Sequence, residues 1–248
     1  MTAAIAAGRR YLPRGYADLA RQMLIWFGFL LAYQIARGLA DRDPTRAFVN
    51  GWRVIDLEER LAGLGELTLQ GWTQSSHFLA ELVSLTYWNS EFTVIGVALL
   101  WVYLRRNEAF TRFRNTILLA NLLGLIGYVA LPTAPPRFFT AMGFSDTLDQ
   151  LGGLNHGSGL VELAANPYAA MPSLHAGDAL IVGIILASVV RNRLGKALWL
   201  LWPLWVSFAV MATGNHFWLD VLAGALVGAV ALGIVYHATL RRFIASLL

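Results

Sequence analysis

Asn166-Pro167-Tyr168-Ala169-Ala170-Met171-Pro172-Ser173-Leu174-His175 runs straight into a long apolar stretch that begins at Ala176. The prolines mark an irregular loop, and Pro172 is expected at the first helical position, where its fixed φ suits the first turn and its missing N–H would be unpaired anyway. The free amides of such a turn point outward and form a site for an anion, with Ser173 and His175 beside it to donate hydrogen bonds and move a proton. Further along, the arrangement recurs. Thr213-Gly214-Asn215-His216 enters another apolar helix, and Asp220 stands one turn below His216.

Composition sets the class in which those two helix starts must be read. Of 248 residues, 57% are hydrophobic and only 14% charged, too little polar surface for a water-soluble globule of ordinary make-up. The expected fold is therefore all-α, a polytopic membrane helical bundle forming one integral membrane domain, residues 1–248. A formal net charge of +4 in such a protein points to anchoring beside anionic phospholipid at the cytoplasmic face, and nucleic acid is not implied. The lack of cysteine excludes disulfides, thiolate nucleophiles and cysteine-ligated metal.

The apolar runs predict six transmembrane helices, at about 22–40, 87–104, 112–131, 172–190, 197–213 and 216–238. The basic leader before residue 22 carries no cleavage signal after an apolar core, so the first helix is expected to remain as an anchor. Residues 41–77 mix acids with Arg42, Arg46, Arg53 and Arg60 and do not span. Phe48, Trp52, Ile55, Leu57 and Leu61 fall roughly at helical spacing there, which predicts an amphipathic helix on the membrane surface; a solvated helical hairpin is the alternative. The second span must take in Tyr87-Trp88-Asn89-Ser90-Glu91. An acid at that depth costs roughly 2.5–3.5 kcal/mol on insertion scales, so Glu91 is expected to face a protein cavity, with an arginine as a fitting partner.

Basic residues give the orientation. With six spans and a cytoplasmic N-terminus, thirteen of the nineteen Lys and Arg fall inside, among them Arg105, Arg106, Arg112, Arg114, Arg191, Arg193 and Lys196. Both termini are then cytoplasmic. The helix starts at His175 and His216 share the extracytoplasmic side with the loop 132–170, and the expected location is the plasma membrane.

Asp220, four residues after His216, reaches it on one helical face. A carboxylate there can hold the proton on one ring nitrogen, leave the other as a nucleophile and stabilise the cation formed on attack. Taken alone, the pair reads equally well as a histidine neutralised by an acid. Its company points to chemistry: His175 on the same membrane face, and Arg137 as the single basic residue of the loop between spans. A phosphorus centre would use all of them. His216 attacks in line, Asp220 orients it, and His175 protonates the leaving alkoxide. Arg137, Ser173 and the Gly214–Asn215 helix start bind the phosphate oxygens. Metal binding is the competing use of two histidines and an acid, but no tight cluster such as His-Glu-x-x-His is present, and neither metal nor cofactor is expected.

Pro172-Ser173-Leu174-His175 and His216-x-x-x-Asp220 resemble the second and third signatures of the type 2 phosphatidic acid phosphatase superfamily, over roughly residues 115–238. The resemblance implies a phosphohistidine mechanism with His216 as nucleophile, Asp220 as its orienting acid and His175 as proton donor. Departures are informative. Ala130 stands where the family has a lysine, Arg137 follows Pro136 rather than preceding a proline, Ala209 and Val210 replace Ser-Arg, and Leu174 replaces a glycine. The stretch Leu131-Pro132-Thr133-Ala134-Pro135-Pro136-Arg137, with Pro-Ser-Leu-His, is instead similar to the inositol phosphorylceramide synthase branch.

Fewer cations suit the single charge of a phosphodiester better than the nearly double charge of a monoester. Head-group transfer or phosphodiester cleavage on a membrane lipid is thus favoured, with lipid phosphomonoester hydrolysis (phosphatidate or polyprenyl pyrophosphate type) as the alternative. A non-catalytic lipid binder or flippase is the reading from another class; retention of His175, His216 and Asp220 together argues against it. Asp178 is a candidate to set the tautomer of His175, or else an acid paired with an arginine. Gly224 and Gly228, among alanines, make a small face for packing within the bundle or for a seam, so the chain is a monomer or homodimer. Tryptophans such as Trp199, Trp202, Trp205 and Trp218 read as anchors or packing. His77, His156 and His237 receive no catalytic role, and the glycine-rich 152–159 is a candidate lid.

Overall fold

In the computed structural model, which describes residues 12–39, 43–151 and 166–245, ten α-helices follow one another with no β-strand among the described residues. They are α1 (Gly15–Leu39), α2 (Pro44–Leu61), α3 (Gly65–Gln74), α4 (His77–Ser90), α5 (Thr93–Arg105), α6 (Asn107–Ala130), α7 (Thr147–Gln150), α8 (Leu174–Val189), α9 (Arg193–Ala212) and α10 (Trp218–Ala245). The candidate lid 152–159, with His156, lies outside the described residues.

Among the described residues, four helices are long and apolar enough to cross a membrane: Gly15–Gly38, Asn107–Ala130, Arg193–Ala212 and Trp218–His237. Their outer faces are apolar. Leu24, Phe27, Leu31 and Ile35 are exposed along α1, and Leu222, Leu226, Val230 and Ile234 along α10. Such stripes at helical spacing suit hydrocarbon rather than water. Two apolar helices, α5 and α8, are shorter; α8 is largely buried, while α5 leaves Val97, Leu100, Trp101 and Leu104 exposed. The expected continuous second span is broken: Tyr87 to Ser90 close α4, and α5 begins only at Thr93. Glu91 sits at the break, 7% exposed, where the chain can turn a carboxylate inward instead of carrying it along a lipid-facing helix.

The hub is α8, which packs on α9, α10 and α6 and also touches α5 and α4. Glycines let its neighbours close in. A Cβ on Gly177 would stand 2.6 Å from the Gly224 carbonyl oxygen, and one on Gly228 2.7 Å from that of Gly177. The small face of the last helix is therefore spent on packing inside the bundle, where van der Waals contact between backbones replaces the hydrophobic effect. On another side, Leu174 fills the space over Gly124, where a Cβ would meet the leucine at 2.6 Å. The bulky residue at this position thus fits because α6 gives way.

Residues 44–74 fold as two helices meeting at Gly63, which has φ +78. The inner face of α2 buries Ala47, Asn50, Gly51, Val54, Ile55 and Glu58, while Trp52, Leu57 and Leu61 are exposed. This face braces the loop after α6. Asn50 Nδ2 donates to the Pro132 carbonyl (2.8 Å), and Ala134 N–H donates to the Ala47 carbonyl (3.0 Å).

Candidate active site

Two loops carry the site, and the backbone ties them together. Thr133 N–H donates to the Tyr168 carbonyl (2.7 Å) and Ala170 N–H to the Thr133 carbonyl (3.3 Å). These bonds align Pro132–Arg137 with Asn166–Pro172, immediately before α8.

Pro172 does not occupy the first turn. It follows a cis peptide from Met171, Ser173 is the N-cap, and α8 starts at Leu174. The Ser173 hydroxyl accepts from Ala176 N–H (3.5 Å), and its own N–H donates to the Asp220 carbonyl (2.9 Å). Fully buried by these tasks, the serine side chain does not line the cavity, contrary to its expected place among the phosphate ligands. A serine at an N-cap serves the helix first.

The second helix start is also occupied. His216 precedes α10 instead of opening it. Asp220 Oδ2 accepts from Phe217 N–H (2.8 Å), the return arm of a capping box. Trp218 N–H donates to Glu66, and Leu219 N–H to Glu58 Oε1 (2.8 Å). Three internal carboxylates thus hold the amides expected to receive phosphate. Burial, followed for Glu58 by the nearness of Glu66, raises the pKa of both glutamates.

His216 and His175 nevertheless meet. Their ring centroids are 5.7 Å apart on the wall of a cavity of about 310 Å³, near the lower end of the size range of small-molecule sites. His216 Nδ1 lies 2.9 Å from the Ala170 carbonyl and 3.7 Å from Asp220 Oδ2. A carbonyl can only accept, so Nδ1 carries the proton and Nε2 is left with a free lone pair. Burial pushes the ring down to about 3, so it is neutral at neutral pH. Asp220, wholly buried and with Oδ1 unpartnered, stands ready for a positive charge on the imidazole.

His175 stacks on Tyr87, with centroids 4.7 Å apart and planes inclined by 17°. Its Nε2 lies 3.5 Å from Glu91 Oε2. Asp178 instead takes Asn121 Nδ2 on both oxygens (2.9 and 3.2 Å), so the acid facing His175 is Glu91. Arg137 is held on three sides: its guanidinium donates to Asn215 Oδ1, its Nε lies 3.4 Å from Asp146 Oδ2, and its N–H donates to the Gly214 carbonyl (2.9 Å). Burial lowers its pKa while Tyr87 and Asp146 oppose. Asn215 lines the cavity. Gly214 acts through its left-handed turn, φ +73, and its carbonyl rather than by lining the cavity.

Residues that the motifs did not single out complete the walls, Arg37 and Gln34 from α1 and Tyr128 from α6 among them. An arginine near the end of an apolar helix was the available signal for the first. Glu58 and Glu66 had none, since acids in a polar stretch read as solvated.

Known proteins resemble this chain in sequence and in fold. Phosphoinositol dihydroceramide synthase of Bacteroides thetaiotaomicron is 29% identical over 148 residues, a match spanning 50% of this chain and 46% of that protein. The chain thus matches about half the length of this relative. The crystal structure of Aquifex aeolicus LpxE aligns with a TM-score of 0.52 at 16% identity, covering 80% of this chain and 99% of that one, a likeness of fold. The model of the PAP2 superfamily matches residues 52–234, a stretch that contains His175, His216 and Arg137 and the whole of α3 to α9. This chain belongs to the PAP2 superfamily of membrane phosphatases and phosphotransferases.

Proposed function

We propose that this protein transfers a phosphorylated head group between membrane lipids through a phosphohistidine on His216. The observation that carries the reading is the pair of imidazoles on one cavity wall, 5.7 Å apart, one with its Nδ1 proton committed to a backbone carbonyl and the other facing an acid. Nε2 of His216 attacks the phosphorus of a phosphodiester lipid in line. The bond to the lipid alcohol breaks, and His175 gives its proton to the departing oxygen. The acceptor hydroxyl then attacks the phosphohistidine, loses its proton to His175 and releases His216. Asp220 stabilises the imidazolium, and Arg137, oriented by Asn215, holds the phosphate oxygens.

Formal charge at the cavity favours a diester. With His175 protonated as the acid, Arg37, Arg137 and His175 are offset by Glu91 and by Asp146 beside Arg137, leaving one net positive charge for one phosphodiester anion. The name of the Bacteroides relative, a phosphoinositol dihydroceramide synthase, supports head-group transfer. In the same reading α4–α5 and α8 complete six crossings, α2 lies at the membrane surface, both termini are cytoplasmic and the cavity opens to the extracytoplasmic side of the plasma membrane. The thirteen-to-six bias of basic residues supports that orientation.

The test uses purified protein in detergent with ceramide and inositol-labelled phosphatidylinositol. The expected products are labelled inositol-phosphate ceramide and diacylglycerol. Hydrolysis of phosphatidate to inorganic phosphate, with no new lipid formed from any diester donor, would assign monoester hydrolysis instead.

A further inference from the structure

Arg37 lies on α1, before the region matched by the superfamily model, and reaches the cavity only because α1 packs on α6. Its guanidinium carbon is 5.7 Å from the centroid of the Tyr128 ring, a cation–π contact that fixes its place without using its donors. Its Nε is buried and makes no hydrogen bond. Among the described residues no carboxylate lies within ion-pair distance of it. Arg137 differs, since Asn215 and Asp146 already engage its donors. An arginine held at an apolar helix end, with unspent donors toward a cavity shared by His175 and His216, is costly unless it receives an anion.

We propose that Arg37 binds the phosphate oxyanion of the substrate, sharing it with Arg137, so that α1 supplies a binding residue to the catalytic cavity. This rests on the reading of the cavity as a phosphoryl-transfer site. The planar fork of arginine can take two oxygens of one phosphate, which Lys in its place could not do. Gln34, one turn before it on the same wall, lies where it can accept from a hydroxyl of the head group.

The probes are inorganic phosphate and short-chain phosphatidylinositol, added to the full chain in detergent. First, the arginines are modified with 2,3-butanedione and mapped by mass spectrometry, with and without each probe. Protection of Arg37 by at least about threefold is expected. Protection by the lipid alone assigns the bound head group, and by inorganic phosphate alone a free anion; either supports the oxyanion site. An unchanged rate with both overturns it.

Second, binding of inorganic phosphate is measured by thermal shift for Arg37→Gln, Arg37→Lys and His216→Ala. Arg37→Gln is expected to weaken apparent affinity about tenfold or more and Arg37→Lys less, while His216→Ala still binds. Wild-type affinity in a folded Arg37→Gln overturns the inference while leaving the phosphohistidine reading intact. Full turnover by His216→Ala, with Arg37 still protected, removes that reading and leaves Arg37 as an anion site. Should Arg37→Gln fail to fold, the protection experiment on the wild-type protein decides.

Discussion

The Nδ1 of His216 is 2.9 Å from the carbonyl oxygen of Ala170, a residue of the loop that leads into the helix carrying His175. One hydrogen bond thereby fixes the tautomer of one imidazole and the distance to the other. The loop before α8 and the proposed nucleophile are set by the same contact, whose acceptor is a backbone carbonyl that no side-chain substitution at position 170 removes.

That tautomer makes a pH prediction. Burial pushes His216 down to about 3, so its attacking form is lost only as pH falls toward that value. In kcat/KM against pH, no acid limb at the ordinary histidine value near 6.5 is expected from the nucleophile. A limb near 6.5 that vanished on altering His216 would contradict it.

Asp220 has two tasks that substitutions can separate. Asp220→Asn keeps an oxygen for Phe217 N–H and is expected to fold normally, while turnover drops on the order of 10²- to 10⁴-fold. Asp220→Ala additionally loses the cap, about 0.5–2 kcal/mol, read as a lower melting point. Equal melting points for the two variants would remove the capping role.

Glu58 and Glu66 load the start of α10 with buried carboxyls whose pKa values are raised, first by burial. The folded state therefore binds protons that the unfolded chain has released. The stability from Glu58 is complete below its ordinary value of 4.5 and is lost as pH rises through the raised value. Melting temperature should fall with rising pH over that range, and Glu58→Gln, which stays neutral, should flatten the slope. A slope unchanged by Glu58→Gln would show that the pair does not carry it.

Close backbone packing around α8 yields a contrast between glycines. A Cβ on Gly224 would come within 1.9 Å of the Ser173 carbonyl oxygen, whereas around Gly233 nothing lies within 4 Å. Gly224→Ala should cost about 1–3 kcal/mol or prevent folding, and Gly233→Ala should be neutral or add about 0.5–1 kcal/mol. Thermal melts of the two proteins check this.

The all-helical bundle and four of its long apolar helices were legible because hydropathy reports directly on lipid. The meeting of His175, His216 and Arg137 at one cavity followed from helix-start motifs placed on one membrane face. What stayed hidden depended on contacts between distant segments. That Ser173 would be spent on a cap and the α10 amides on Glu58 and Glu66 cannot be read from local spacing. The break at Glu91 was masked by joining the polar Tyr87–Glu91 to the apolar run Phe92–Leu104 as one span, although the cost of an acid at that depth already argued for a cavity there. Leu174 looked like a departure until Gly124, fifty residues earlier in sequence, gave it room.

The central claim is covalent attachment of phosphate to His216. The measurement is acid-labile, base-stable ³²P on the peptide containing residue 216, quenched during turnover of ³²P-labelled phosphatidylinositol or phosphatidate. The account predicts label on that histidine in the wild-type protein and, in a folded His216→Ala, none, with turnover reduced by at least about 10³-fold. Label on another residue, or a His216→Ala protein that keeps most of its turnover, would contradict it.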